Sequence, residues 1–185
     1  MRYLLFTAIL VFCLAACNKP VKGKNGVTYK SAVQYNDYIV NRQTNLMKNV
    51  LDFSKIADAN LDSAEIMLKK YVRQAEEMID EIKGMPPYKG DSALRDAATR
   101  SFIFYKKIFE NDYVDILTIR KKGADNITEE DVAEANRIVD KIGREEEVFD
   151  KAFHTAQNDY ATKNKMKLMD NKVQKDIDKE LNKKD

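Results

Sequence analysis

An all-α fold is predicted by three features of this sequence. Four segments carry apolar residues at spacings near 3.5, the period of an amphipathic helix. No segment shows apolar and polar residues in strand-like alternation over a useful length. Only 6 glycines and 3 prolines occur, and 34% of the residues are charged, as is typical of helical proteins. Since the connecting segments are short, we predict an antiparallel up-down-up-down four-helix bundle with a charged C-terminal extension, either helical or disordered.

Residues 1–16 have the pattern of a lipoprotein signal peptide. A positive charge at Arg2 precedes an apolar run from Tyr3 to Ala16, which is shorter than the roughly 20 residues of a membrane-spanning helix. The run ends in Leu14-Ala15-Ala16-Cys17, which resembles the lipobox at which bacterial lipoproteins are cleaved and acylated. An ordinary secreted protein with a chance cysteine is the weaker alternative, because run length, position and all four residues agree.

Lipidation of Cys17 would make membrane lipid the first partner of the mature chain. Cys13 would leave with the signal peptide, so no thiol, disulfide or cysteine metal ligand would remain. Each buried methylene contributes about 0.8 kcal/mol, so two or three acyl chains anchor a protein stably. The expected location is the bacterial cell envelope, most simply the outer membrane, with a surface-facing and a periplasm-facing domain both open.

The charge balance argues against a nucleic-acid partner. The chain has 32 basic and 30 acidic side chains, and loss of Arg2 with the signal peptide leaves a net charge of +1. A nearly neutral chain lacks the excess positive charge of nucleic-acid-binding proteins, and its net charge predicts little attraction to anionic lipid.

Residues 17–28 are predicted to form a flexible tether after the lipidated cysteine. This stretch is polar and contains Pro20, Gly23 and Gly26, so it would hold the domain up to roughly 35 Å from the bilayer. The alternative, that part of the stretch packs on the domain, is disfavoured by its composition.

The helical domain is expected to span residues 29–164. Its first helix runs from about Ser31 to Ala57. The second begins at a capping Asp62, with Glu65 three residues later and with Leu61 and Ile66 placed to form a hydrophobic staple. It ends at Gly84, before two prolines that cannot continue a helix.

The third and fourth helices complete the predicted bundle. The third starts at Asp91 or Ser92, ends at Gly123 and carries the most aromatic residues. The fourth starts at a capping Thr128, with Asp131 three residues later, and its inner stripe is predicted to be Val132, Ala135, Ile138, Val139, Ile142, Phe149, Ala152, Phe153, Ala156 and Tyr160. Residues 165–185 form the charged C-terminal extension.

No set of residues for catalysis or cofactor binding is visible, so we predict a non-enzymatic protein without metal or cofactor. The sole histidine is His154, and Lys151 stands where a Glu-x-x-His di-iron motif needs a glutamate. His154 and Asp150 could pair on one helix face, and we interpret them as a surface pair. The acidic clusters at 76–77, 80–81 and 145–147 share their surfaces with neighbouring lysines and arginines, and we interpret them as solvated helix faces.

The loop Met85–Asp91 is the candidate binding site. Pro86, Pro87, Tyr88 and Lys89 combine a rigid turn with an exposed aromatic ring and a charge, and loops often carry function. The alternative is a stiff chain reversal followed by a helix cap.

Two Asp-Ser-Ala tripeptides, at Ser63 and Ser92, resemble acceptor sites of bacterial O-glycosylation systems. Both also stand where helix caps are expected, and the capping interpretation is favoured.

A family resemblance rests on MPPYKGD at 85–91, Leu94–Ala98, Phe104-Tyr105 and Phe109–Tyr113, with Tyr35–Val40 near the start. These segments resemble a family of uncharacterised bacterial helical surface lipoproteins. The resemblance implies a helical lipoprotein without an assigned activity, so it transfers no catalytic residues.

Two functions remain open at the level of the sequence. The first is a non-enzymatic interaction module, lipid-anchored, that binds an unknown envelope or extracellular protein. The second is a structural or self-assembling envelope protein, which the long helices and the charged extension favour.

Overall fold

The computed structural model describes residues 20–169, and within them it confirms the all-α class. The helices are α1 (Ala32–Ala59), α2 (Leu61–Lys83), α3 (Ala93–Lys107), α4 (Tyr113–Arg120) and α5 (Glu129–Lys163). A π-helical segment, Ile108–Asp112, joins α3 to α4, and a short 3-10 turn, Ala124–Asn126, precedes α5. The predicted third helix is therefore the continuous run of α3, the π-helical segment and α4.

Several predictions fall outside the described residues: the signal peptide 1–16, Cys17, and the extension from residue 170 onward. Helix α5 ends at Lys163, and residues 165–169 after it are not helical. Among the helices of residues 20–169, none combines the length and the apolar character needed to cross a membrane.

Side chains cap the starts of α1, α2 and α5, whereas Ser92, the residue before α3, makes no capping hydrogen bond, so the favoured capping role of its side chain is wrong. The side chain of Ser31 caps α1, and Thr128 and Asp131 form the predicted capping box of α5. Helix α2 instead starts one residue after Asn60, whose side-chain oxygen accepts a hydrogen bond from the Ser63 amide at 2.8 Å. The prediction of Asp62 as cap is wrong, because Asn60 caps the helix two residues earlier and Asp62 lies within its first turn.

The predicted staple of α2 is also wrong, since Ile66 is 69% exposed. On α5, Val132 and Val139 were expected in the inner stripe but lie half or more exposed. Only Ile138, Phe153, Tyr160 and Ala161 of that helix are buried. Helix α5 therefore covers the core with a narrower face than its apolar pattern predicts.

The core lies mainly between α1, α2 and the α3–π–α4 run. Helix α2 packs against α1 and α3, and α3 packs against α5. The largest fully buried side chains include two tyrosines and three phenylalanines: Tyr29, Tyr35, Phe102, Phe109 and Phe153. The third helix, which carries the most aromatic residues, supplies much of the core, since Phe102, Phe104, Tyr105, Ile108 and Phe109 are all buried.

A small β-hairpin precedes α1, where the sequence predicts a flexible tether. Strands β1 (Val21–Lys22) and β2 (Thr28–Tyr29) pair antiparallel, with Val21 opposite Tyr29. Tyr29 is fully buried in the main core. Residues 20–28 thus differ from the prediction, because an aromatic anchor at the end of the stretch outweighs its polar composition.

Candidate functional site

The four residues predicted to bind a ligand lie in the loop between α2 and α3, but they do not form one exposed surface. Pro87 and Lys89 are exposed and Pro86 is half-buried. Tyr88 is only 3% exposed, so its predicted exposure is wrong. Its ring is instead in contact with two other tyrosine rings of the core.

A tight turn accounts for the geometry of this loop. The backbones of Tyr88 and Asp91 exchange hydrogen bonds of 2.9 and 3.0 Å. Between them, Lys89 (φ 51°) and Gly90 (φ 84°) both have left-handed backbones, as a type I′ turn requires. The Asp91 carboxylate then accepts a hydrogen bond from the Ala93 amide and another from the Lys163 ammonium, at 2.9 and 2.6 Å. The loop is thereby fixed to both α3 and the end of α5.

Five tyrosines pack together beside this loop and form what we call the tyrosine cluster: Tyr29, Tyr35, Tyr38, Tyr88 and Tyr160. Their neighbouring ring centroids are 5.1 to 5.7 Å apart. Aromatic pairs at such distances stabilise the fold through the relative orientation of their rings, in addition to the burial of apolar surface. The cluster joins the hairpin, α1, the loop and α5 in one unit.

Hydrogen bonds satisfy the hydroxyl groups inside the cluster. The Tyr35 hydroxyl donates to the Pro86 carbonyl at 2.9 Å, and the Tyr160 hydroxyl donates to the Ala32 carbonyl at 3.2 Å. Burial raises the pKa of Tyr35 and Tyr160 well above the ordinary value. Burial also raises the pKa of Tyr29 to about 12, even though the Asn25 hydrogen bond lowers it. These phenols are thus held neutral and serve as structural donors and acceptors.

The hairpin is fixed to the end of α2 by Asn25. Its amide group donates to the Tyr29 hydroxyl at 2.7 Å and to the Glu81 carbonyl at 3.0 Å. Its backbone amide bonds to the Gly84 carbonyl at 3.3 Å. A polar residue that the sequence assigns to a tether is therefore a structural anchor.

The two serines proposed as glycosylation acceptors occupy different environments. Ser63 is exposed in the first turn of α2. The Ser92 hydroxyl is half-buried and donates to the Asp96 carboxylate at 2.6 Å. Burial would raise the pKa of Asp96, but hydrogen bonds from Ser92 and Arg95 outweigh it and lower that pKa. Ser63 is the more accessible of the two.

The His154–Asp150 pair lies on an exposed face of α5, as predicted. The nitrogen and oxygen are 4.0 Å apart, at the outer limit of an ion pair. Within residues 20–169, no three histidine, cysteine or carboxylate side chains come together as metal ligands would.

The structure also contains a cleft that sequence reasoning missed. It has a volume of about 220 Å³ and lies between α2 and the π-helical segment with α4. Leu68, Phe109 and Leu117 form an apolar floor, while Glu65 and Lys121 stand at the rim. The rim charges pair with each other at 2.5 Å.

The π-helical segment shapes this cleft and has no sequence signature. The Tyr113 amide bonds to the carbonyl of Ile108, five residues back, so one extra residue fits into the turn. Val114, which the helical period places inside, is consequently 40% exposed at the cleft. A buried carboxylate at Asp112, bound by Lys141 at 2.6 Å, ties the segment to α5.

Compared with known proteins, the chain matches no protein family, no curated protein and no solved structure.

Proposed function

We propose that this chain is a lipid-anchored, non-enzymatic binding protein of the bacterial cell envelope, attached through acylated Cys17. The observation that carries the proposal is the position of the packed hairpin. Val21 already pairs with Tyr29, so only residues 18–20 separate the lipobox cysteine from the folded domain. At full extension, four residue steps span about 14 Å. A domain joined this closely to an acylation motif is built to work at a membrane.

The lowered pKa values of three carboxyl groups support a non-enzymatic role. A general acid near neutral pH needs a raised pKa. Hydrogen bonds from Lys163 and Lys121 instead lower the pKa of Asp91 and Glu65, respectively. Asp131, bound by Lys122 and by the Thr128 backbone, also has a lowered pKa. These groups contribute to caps and cross-links between elements.

Within this proposal the helices form an antiparallel up-down-up-down bundle, with α3, the π-helical segment and α4 as the third member. The connection from α1 to α2 is the single residue Asn60, which favours an abrupt reversal. The hydrogen bond from Tyr160 to Ala32 brings the end of α5 to the start of α1. The cleft beside the π-helical segment is the partner-binding surface that we favour, because its floor is apolar and charged side chains stand at its rim.

Cell fractionation with a Cys17→Ser variant tests the anchor. We expect the wild-type protein to sediment with membranes and to be released by detergent, while the variant remains soluble. Wild type and variant that fractionate alike as soluble protein would overturn the proposal.

Protease treatment of intact cells then distinguishes the two orientations of the anchored domain. Cleavage with a surviving periplasmic marker indicates a surface domain, and protection indicates a periplasmic one.

The second candidate is a structural or self-assembling envelope protein. Val132 and Val139 favour it, because they lie seven residues apart on one exposed face of α5. Val148 adds a third exposed apolar side chain on that helix. If the Cys17→Ser mature chain sediments as a monomer at high concentration, this candidate loses its support.

A further inference from the structure

Charges are distributed unevenly between one end of the described domain and the rest of it. The hairpin packs on the end of α2, Tyr35 reaches Pro86, and Lys163 reaches Asp91. Residues 20–35, 80–96 and 156–169 therefore lie together, and we call this region the hairpin end. It contains nine lysine and arginine residues against five acidic residues, a net charge of +4. The rest of residues 20–169 has 16 basic and 20 acidic side chains, a net charge of −4.

Ion pairs make this difference in surface charge larger. Three of the five carboxylates at the hairpin end are neutralised in ion pairs: Glu81 with Arg42, Asp91 with Lys163, and Asp96 with Arg95. Seven lysines there are exposed and form no ion pair with another described residue: Lys22, Lys24, Lys30, Lys83, Lys89, Lys165 and Lys167. This end therefore presents unneutralised positive charge to its surroundings.

The same end carries the exit of the chain toward Cys17. Pro20 precedes β1 directly, and the hairpin contains Lys22 and Lys24 and is followed by Lys30. An acylated Cys17 lies within about 14 Å of Val21 along the chain. Val21, at the start of the hairpin, thus comes within about two Debye lengths of the headgroups at physiological salt, and Lys22 follows it directly.

We propose that the hairpin end is a membrane-facing surface that binds anionic phospholipid headgroups, and that it orients the helices away from the bilayer. The proposal rests on the lipid anchor of the proposed function. A positive end attracts an anionic surface, and the negative remainder is repelled from it, so one orientation is selected. The overall near-neutrality of the chain conceals this arrangement, which is why composition predicts little attraction to anionic lipid.

The test uses the mature chain with Cys17→Ser, so that no acyl chain contributes to binding. Partitioning is measured by cosedimentation with vesicles of phosphatidylcholine alone and of phosphatidylcholine with about one third phosphatidylglycerol. The test variant carries Lys22→Gln, Lys24→Gln and Lys30→Gln. The matched control carries Lys48→Gln, Lys70→Gln and Lys151→Gln, three exposed lysines about 18–24 Å along their helices from the helix termini Ala32, Lys83 and Lys163 at the hairpin end. Circular dichroism verifies that both remain helical.

We expect the parent chain to prefer the anionic vesicles and to lose that preference as salt is added. The hairpin variant should lose at least about tenfold in partitioning, and the control less than about twofold. Equal binding to both vesicle types, or equal losses in the two variants, would overturn the proposal. A failure of the proposed lipid anchor can be told apart from a failure of this proposal. The anchor is tested by cell fractionation of the Cys17→Ser variant, and that result does not depend on these lysines.

Discussion

At the scale of single residues, Gly23 and Gly84 bring two backbones closer than side chains would permit. A Cβ atom at Gly23 would lie 2.4 Å from the Asn25 side-chain oxygen and 2.7 Å from the Gly84 carbonyl oxygen. A Cβ atom at Gly84 would lie 2.9 Å from both the amide nitrogen and the Cβ of Asn25. Most of the obstructing atoms belong to the backbone or to a hydrogen-bonded side chain, so they cannot move aside cheaply.

Gly23→Ala is therefore expected to lower the free energy of unfolding by about 1–3 kcal/mol, through overpacking at the contact between the hairpin and α2. Urea denaturation followed by circular dichroism measures the change. Gly143→Ala is the matched control, since it lies in α5 with no atom near its added methyl group. It should raise stability by about 0.5–1 kcal/mol. A Gly23→Ala protein as stable as wild type would show that the hairpin does not pack as described.

At the scale of elements, the start of α5 depends on the capping box of Thr128 and Asp131. The Thr128 hydroxyl accepts a hydrogen bond from the Asp131 amide at 3.2 Å, and the Asp131 carboxylate accepts one from the Thr128 amide at 3.1 Å. Thr128→Ala is expected to cost about 0.5–2 kcal/mol, because an amide at the helix start loses its partner. Thermal denaturation compares it with Thr155→Ala, an exposed mid-helix control that should be neutral or slightly stabilising. Equal effects of the two substitutions would contradict a specific cap.

The capping box could be predicted because all of its atoms lie within four residues of one another. Asn60 shows the limit of such reasoning, since Asn60 and Asp62 are both suitable cap residues two positions apart, and Asn60 is the one with the extended backbone of a cap. Tyr88 and the hairpin could not be predicted, because the partners of Tyr88 are 53 residues upstream at Tyr35 and 72 residues downstream at Tyr160. The π-helical segment was not predicted either, and its buried Asp112 is bound by Lys141 from another helix. Capping hydrogen bonds between residues close in sequence determine where most helices start. Contacts between residues distant in sequence determine which side chains are buried and which line a candidate site.

At the scale of the whole molecule, the buried phenols couple folding to alkaline pH. Burial raises the pKa of Tyr29 to about 12 and moves the pKa of Tyr35, Tyr105, Tyr113 and Tyr160 in the same direction. In the unfolded chain these groups ionise near their ordinary pKa of 10.0. The folded protein therefore keeps protons that the unfolded chain releases. The contribution to stability is fully present below about pH 10 and is lost as pH rises through the folded pKa values.

We expect the urea midpoint to be level between about pH 8 and 9.5 and to fall steeply above about pH 10. Lysines in ion pairs, such as Lys106 with Glu76, have raised pKa values and shift stability in the same direction, so a variant must isolate the phenols. Tyr113→Phe serves this purpose, because it keeps the ring that stacks on Phe53 at 4.4 Å and removes one titrating hydroxyl. The slope above pH 10 should become shallower in this variant while the midpoint near pH 8 changes little. A midpoint that stays constant through pH 11 would mean that these phenols titrate in the folded protein as freely as in water. An unchanged slope in Tyr113→Phe would mean the same of the Tyr113 hydroxyl alone.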